Sequence, residues 1–185
     1  MKAVVVYESM YGNTHLIADA IAAGLRDVAE VVVVPVGQAD HELIAGADLV
    51  VVGGPTHAHG MTKAGTRAAA VDAAHRPGNE VPLDPDAEGE GLREWFDTVD
   101  EIRVRAAAFD TRFDGPAVLT GRASKGIARQ LREHGFDVVA PPESFFVTHD
   151  NHLTDNEEVR ARQWGAELAA AAKPSSDETG ARSIT

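Results

Sequence analysis

The sequence predicts an α/β chain with a three-layer, doubly wound, five-stranded parallel sheet. Two observations carry this. Continuous β-branched runs alternate with segments of helical periodicity, as in a parallel sheet covered on both faces. The runs Ala3 to Tyr7, Val31 to Val36 and Asp48 to Gly53 lack the apolar–polar alternation of a sheet with one wet face.

The first two runs are joined by Ile17, Ile21, Leu25 and Val28 at helical spacing, with Asp19 and Arg26 opposite. After Gly53 the chain breaks at Gly54-Pro55-Thr56, and an alanine-rich helix is expected from Lys63 to His75. Pro77 to Gly91 holds three prolines, three glycines, five acidic residues and no basic one, and reads as a solvated acidic insertion. A short helix with Leu92, Trp95, Phe96 and Val99 follows, then a fourth strand from Ile102 to Phe109. Ser124 to His134 is expected to be helical and to end at Gly135. Phe136 to Val139 and Ser144 to Val147 form a fifth strand interrupted by Pro141-Pro142, which donate no ladder hydrogen bond. A last helix runs from Asn156 to Ala172. One domain over residues 1–172 and a disordered tail over 173–185 are expected.

Composition narrows the function. With 185 residues and no cysteine, disulfides, thiolate metal sites and thiol catalysis are excluded, so redox chemistry requires a bound cofactor. A net charge of −12 argues against nucleic acid and suits a basic protein partner or simple solvation. No apolar run reaches the length of a membrane span, and the N-terminus lacks signal-peptide features, so no membrane association and a cytoplasmic location are expected.

In an open parallel sheet, ligands sit at the carboxyl ends of the strands, where the strand order reverses. Three loops should meet there: 8–14, 54–61 and 109–113. In the first, Ser9, Met10, Tyr11, Gly12, Asn13 and Thr14 lead a buried strand into a helix. Free backbone N–H groups and the positive end of the helix dipole suit a phosphate monoester there, with Ser9, Asn13 and Thr14 as side-chain donors and Gly12 allowing close approach or positive φ. No lysine or arginine lies between Lys2 and Arg26, so dipoles and hydrogen bonds would hold the dianion. The same residue types also cap ordinary helices. Walker, dinucleotide and nucleophile-elbow motifs are absent, and no aspartate ends the third strand as a phosphoryl receiver would require.

This segment resembles the flavodoxin phosphate-binding signature through Val5, Val6, Tyr7, Ser9, Gly12, Thr14, Ala18 and Ile21. The resemblance implies a flavodoxin-like fold of strand order 2-1-3-4-5 and flavin mononucleotide (FMN) as cofactor. It places Pro55, Thr56, His57, Ala58, His59 and Gly60 against one face of the flavin ring. Phe109, Asp110, Thr111 and Arg112 then lie along the other face and edge, with Phe109 or Phe113 as aromatic contact. The tryptophan or tyrosine that often stacks on the ring is missing from the first of these loops, so His57 or His59 stacks or stays a plain loop residue. Arg112 either approaches the flavin's pyrimidine edge or pairs with Asp110 or Asp114. His57 and His59 with His149, Asp150 and His152 have the residue types of a metal site.

The implied function is an electron carrier between redox proteins, partnered by a flavin or ferredoxin reductase and acting as a monomer or weak dimer. An FMN-dependent NAD(P)H:quinone-type oxidoreductase and a flavin-free interaction module are the alternatives.

Overall fold

The computed structural model describes residues 1–57, 59–76 and 82–172. Ala58, residues 77–81 of the acidic insertion and the expected tail 173–185 lie outside the described residues.

Three uninterrupted apolar runs become the strands β1 (Lys2–Tyr7), β2 (Glu30–Pro35) and β3 (Leu49–His57). β1 pairs in parallel with both others, Val5 lying opposite Val33 and Val51. Burial on both faces explains the absence of alternation, since Val4, Val5, Val6, Val50, Val51 and Val52 are all buried. β4 (Gly60–Met61) folds back antiparallel on the end of β3. β5 (Arg105–Phe113) runs parallel to β3 from Leu49↔Arg105 to Pro55↔Thr111. β6 (Asp137–Val138) and β7 (Glu143–Val147) both pair in parallel with β5, at its beginning and its end. Pro141-Pro142 separates them, so the fifth strand is one strand in two pieces. The sheet order is β2-β1-β3-β5-β6, with β4 on β3 and β7 continuing along β5. This is the expected order 2-1-3-4-5, altered by the split fifth strand and the added β4.

The helices are α1 (Asn13–Leu25), α2 (His41–Ala45), α3 (Ala64–Ala74), α4 (Leu92–Thr98), α5 (Ala117–Thr120), α6 (Ala123–Glu133) and α7 (Glu157–Ala171). Ile17, Ile21 and Leu25 of α1 and Trp164 and Leu168 of α7 bury one face of the sheet with Val5, Val51 and Phe145. The other face is covered by Ile44, Trp95, Phe96, Ile127 and Leu131 over Val4, Val50 and Ala106. Among the described residues no helix is long and apolar enough to cross a membrane.

Three expectations are corrected. The fourth strand extends through 109–113, read from sequence as a loop, because β7 offers those residues a ladder partner through the pair Arg112↔Phe146. The 54–61 loop is largely strand as well, since Gly54 and Pro55 continue the pairing with β5. The acidic segment is not wholly solvated: Asp84 and Ala87 are buried, and the Asp84 N–H donates to the Met10 carbonyl at 2.8 Å. Met10, Ala70 and Ala87 form a small apolar cluster beneath it.

Candidate functional site

The carboxyl ends of β1, β3 and β5 converge on the first turn of α1. Gly12, the residue before that helix, has φ 89°, a left-handed conformation that side-chain-bearing residues adopt at a cost. No side chain caps the helix. The N–H groups of Asn13, Thr14 and His15 have no intrahelical acceptor, make no other backbone bond among the described residues, and lie at the positive end of the dipole.

Around this opening the hydroxyls are already oriented. The Ser9 Oγ accepts the Gly12 N–H at 3.1 Å, which leaves the Ser9 proton free to donate elsewhere. Thr14 Oγ1 lies 2.7 Å from Thr111 Oγ1, a buried bond joining α1 to β5. The Asn13 amide is not free for an anion. It donates to the Asn151 carbonyl at 2.9 Å and to Asn151 Oδ1 at 3.1 Å, fastening the turn after β7 to the loop. Glu8 turns its carboxylate away from the opening, to the Thr62 hydroxyl and, at 2.8 Å, to the Leu92 N–H.

The cleft beside this loop is lined by Ser9, Met10, Tyr11, Asn13, Thr14, Pro55, Thr56, His57, Thr111, Arg112, Phe113, Val147 and Asn151. It thus gathers most of the residues expected from the three sequence segments. Its volume of about 110 Å³ suits a headgroup. A pocket enclosing a whole drug-sized ligand measures about 300–1,000 Å³, so a nucleotide here would keep much of its body on the surface. A larger hollow of about 520 Å³ opens at the amino ends of β1 and β2, beside Lys2, Glu30 and Leu43. It lies at the wrong end of the sheet for a switch-point ligand.

Two residues of β5 were expected at a ring and are structural instead. Phe109 is fully buried, packed edge-on to Phe145 and Trp164, because it falls on the α1/α7 face of the strand. Asp110 is also fully buried. Its Oδ2 accepts from the Thr56 hydroxyl at 3.1 Å and from the Ser124 N–H at 2.7 Å, at the start of α6. Thr56 in turn accepts the Ala123 N–H at 2.8 Å. Asp110 and Thr56 therefore bind the end of β3 to the N-terminus of α6.

Arg112 is 8 % exposed and lines the cleft. It pairs with neither Asp110 nor Asp114. One guanidinium nitrogen donates to the carbonyls of Phe113 (3.2 Å) and Gly115 (2.8 Å) and to the Thr120 hydroxyl (2.8 Å), and the guanidinium lies over the Phe146 ring at 4.7 Å. Its Nε is buried without a hydrogen-bond partner among the described residues. Among the described residues no carboxylate pairs with this buried cation, which favours an anion in the adjoining cleft.

His57 is exposed and lines the cleft, whereas His59, also exposed, has φ 74° and is held by its backbone. His59 bridges to Gly121, whose φ of +79° and missing Cβ permit the approach: a methyl there would sit 2.2 Å from the His59 Cα. Gly60 continues this segment as β4. Tyr11 and Phe113 bring aromatic rings to the cleft, and Phe113 stacks on His149 with centroids 4.9 Å apart. Among the described residues His57, His59, His149, Asp150 and His152 do not assemble into a metal-sized group. Sequence reasoning missed Asn151 and Gly121. The Asp150-Asn151 pair is a turn signal, but its partner Asn13 is 138 positions away.

Residues 4–66 match the family model of the flavodoxin domain. No curated protein matches the sequence. By structure, the chain is similar to a flavodoxin from the domain Archaea, with TM-score 0.65, 22% identity, and coverage of 94% of this chain and 100% of that one. Flavodoxin 1 from Bacillus cereus overlays with TM-score 0.63 at 22% identity, over 92% and 98% of the two chains. The rubredoxin oxygen:oxidoreductase of Desulfovibrio gigas aligns with TM-score 0.57 at 23% identity, over 92% of this chain and 36% of that one. By the sequence match over residues 4–66, and by structures shared over nine-tenths of its length, the fold of the chain is flavodoxin-like.

Proposed function

We propose that the chain binds FMN at the cleft between loop 9–14 and the ends of β3 and β5, and carries electrons between redox proteins. One observation supports this above the others: the first turn of a 13-residue helix is uncapped and opens onto a cleft that also holds the carboxylate-free Arg112. The donor set fits a phosphate monoester. The open N–H groups of Asn13, Thr14 and His15 and the proton of Ser9 would hold the phosphate, with the Thr14–Thr111 pair fixing the helix start. Bound FMN supplies the redox chemistry. The protein's part is to position it, to shield its edge with Pro55, Thr56 and Phe113, and to bring positive charge near through Arg112.

A basic redox protein such as a flavin or ferredoxin reductase suits the acidic surface as partner. The second reading, an FMN-dependent oxidoreductase of the quinone-reducing kind, draws on the exposed His57, which leaves that side of the cleft without an aromatic cover. Steady-state assays separate the two. The carrier reading predicts no NADH- or NADPH-driven quinone reduction by the FMN-loaded chain alone, and turnover of an acceptor protein once a flavin reductase is added. Rapid NAD(P)H oxidation by the chain alone would replace the carrier with the oxidoreductase.

A further inference from the structure

We propose that His15, Asp84 and Asp86 form a divalent-cation site that clamps the acidic segment onto loop 9–14. Their ligand atoms lie within 4.8 Å of one another, the one such group among the described residues. Each side chain is held by its surroundings. The His15 ring stacks on Tyr7 with centroids 4.2 Å apart and planes 18° apart, which aims Nδ1 at Asp84 Oδ2, 3.2 Å away. Asp84 Oδ1 accepts the Asp86 N–H at 3.0 Å, and Asp86 Oδ2 accepts the Tyr7 hydroxyl at 2.8 Å. A metal ion about 2.1 Å from both the imidazole nitrogen and the carboxylate oxygen would see that 3.2 Å edge at about 100°, between tetrahedral and octahedral angles.

The charge count calls for a cation as well. The Asp84 side chain is 1% exposed, and His15 is its sole basic neighbour within 4.0 Å among the described residues. Among the described residues Asp86 has no basic partner within that distance, and Asp19 Oδ2 stands 3.9 Å from the other ring nitrogen of His15, Nε2. One imidazole with two carboxylates suits Zn²⁺ or Mn²⁺.

The site also bears on the cleft, a step that rests on the FMN reading above. A methyl at Gly12 would lie 3.9 Å from Asp84 Oδ2, so an uncompensated carboxylate borders the loop that is to hold a dianion. A bound divalent ion removes that repulsion and pins residues 84–86 in place. Cation and FMN should therefore each strengthen the other's binding, by about tenfold.

The test uses the flavin-free full-length chain. Titrated Mn²⁺ should broaden the amide resonances of Tyr7, His15 and Asp84 to Asp86 before all others. Calorimetry should show one saturable Zn²⁺ site that weakens in His15→Gln, Asp84→Asn and Asp86→Asn. Asp86 is only half-buried, so its variant keeps the fold where loss of Asp84 threatens it. No saturable uptake, broadening centred elsewhere, or unchanged uptake in all three variants would overturn the site. Metal uptake without any change in FMN affinity would overturn the clamp, whereas the uptake measurements test the cation site whether or not FMN binds.

Discussion

Gly121→Ala tests whether the segment after β3 is held in place by backbone contact. Gly121 has φ 79° and ψ 179°, a region populated almost only by glycine and costing other residues about 1–3 kcal/mol. The added methyl would also sit 2.2 Å from the His59 Cα and 2.4 Å from its carbonyl oxygen. Both atoms belong to backbone, so no rotamer change relieves the overlap, and the chain must release the His59–Gly121 bridge. Adding about 1 kcal/mol for that lost contact gives about 2–4 kcal/mol in total. For a chain of this size each kcal/mol lowers Tm by about 2–4 °C, so the expected drop is about 4–16 °C. A thermal melt measures it, and amide shifts should move at His59 to Met61 while those of Ser9 and Gly12 stay. A Tm within about 1 °C of the parent, with His59 to Met61 unmoved, would refute the argument.

Two further outcomes follow from single groups. Thr111→Val leaves Thr14 Oγ1 buried without its 2.7 Å partner, costing about 1–3 kcal/mol in a denaturant titration and weakening FMN binding through the displaced start of α1; unchanged stability would show that the pair is idle. Tyr7 has its phenol held above the ordinary value of about 10, by burial first and then by Asp86, so its contribution to stability is whole below about pH 10 and is lost as pH rises beyond it. Denaturation between pH 9 and 11 should show this loss, at most about 1.4 kcal/mol per pH unit, in the parent and not in Tyr7→Phe; equal slopes would contradict it.

The strands were legible because burial on both faces leaves an uninterrupted run such as Val4 to Tyr7, and the glycine and hydroxyls before α1 announced the loop by composition. What escaped was the part set by distant partners. Phe109 to Phe113 read as a loop because their ladder partner, Glu143 to Val147, stands some thirty residues later behind two prolines. Phe109 and Asp110 followed from that error: on a strand, alternate side chains turn to opposite faces, one into the α1/α7 core and the other to the start of α6. The acidic segment looked solvated by charge alone, yet Asp84 and Ala87 are drawn in by Met10, Ala70 and His15, which no local pattern links to them.

The central claim is that an uncapped helix start, with a buried arginine nearby, grips the phosphate of FMN. Titration of flavin-free protein with FMN, followed by quenching of flavin fluorescence, measures this most directly, with riboflavin as the phosphate-free control. The account predicts saturation at one FMN per chain and binding of riboflavin weaker by at least about 1.4 kcal/mol, a factor of about ten. Equal affinity for the two, or no saturation by a folded chain, would contradict it.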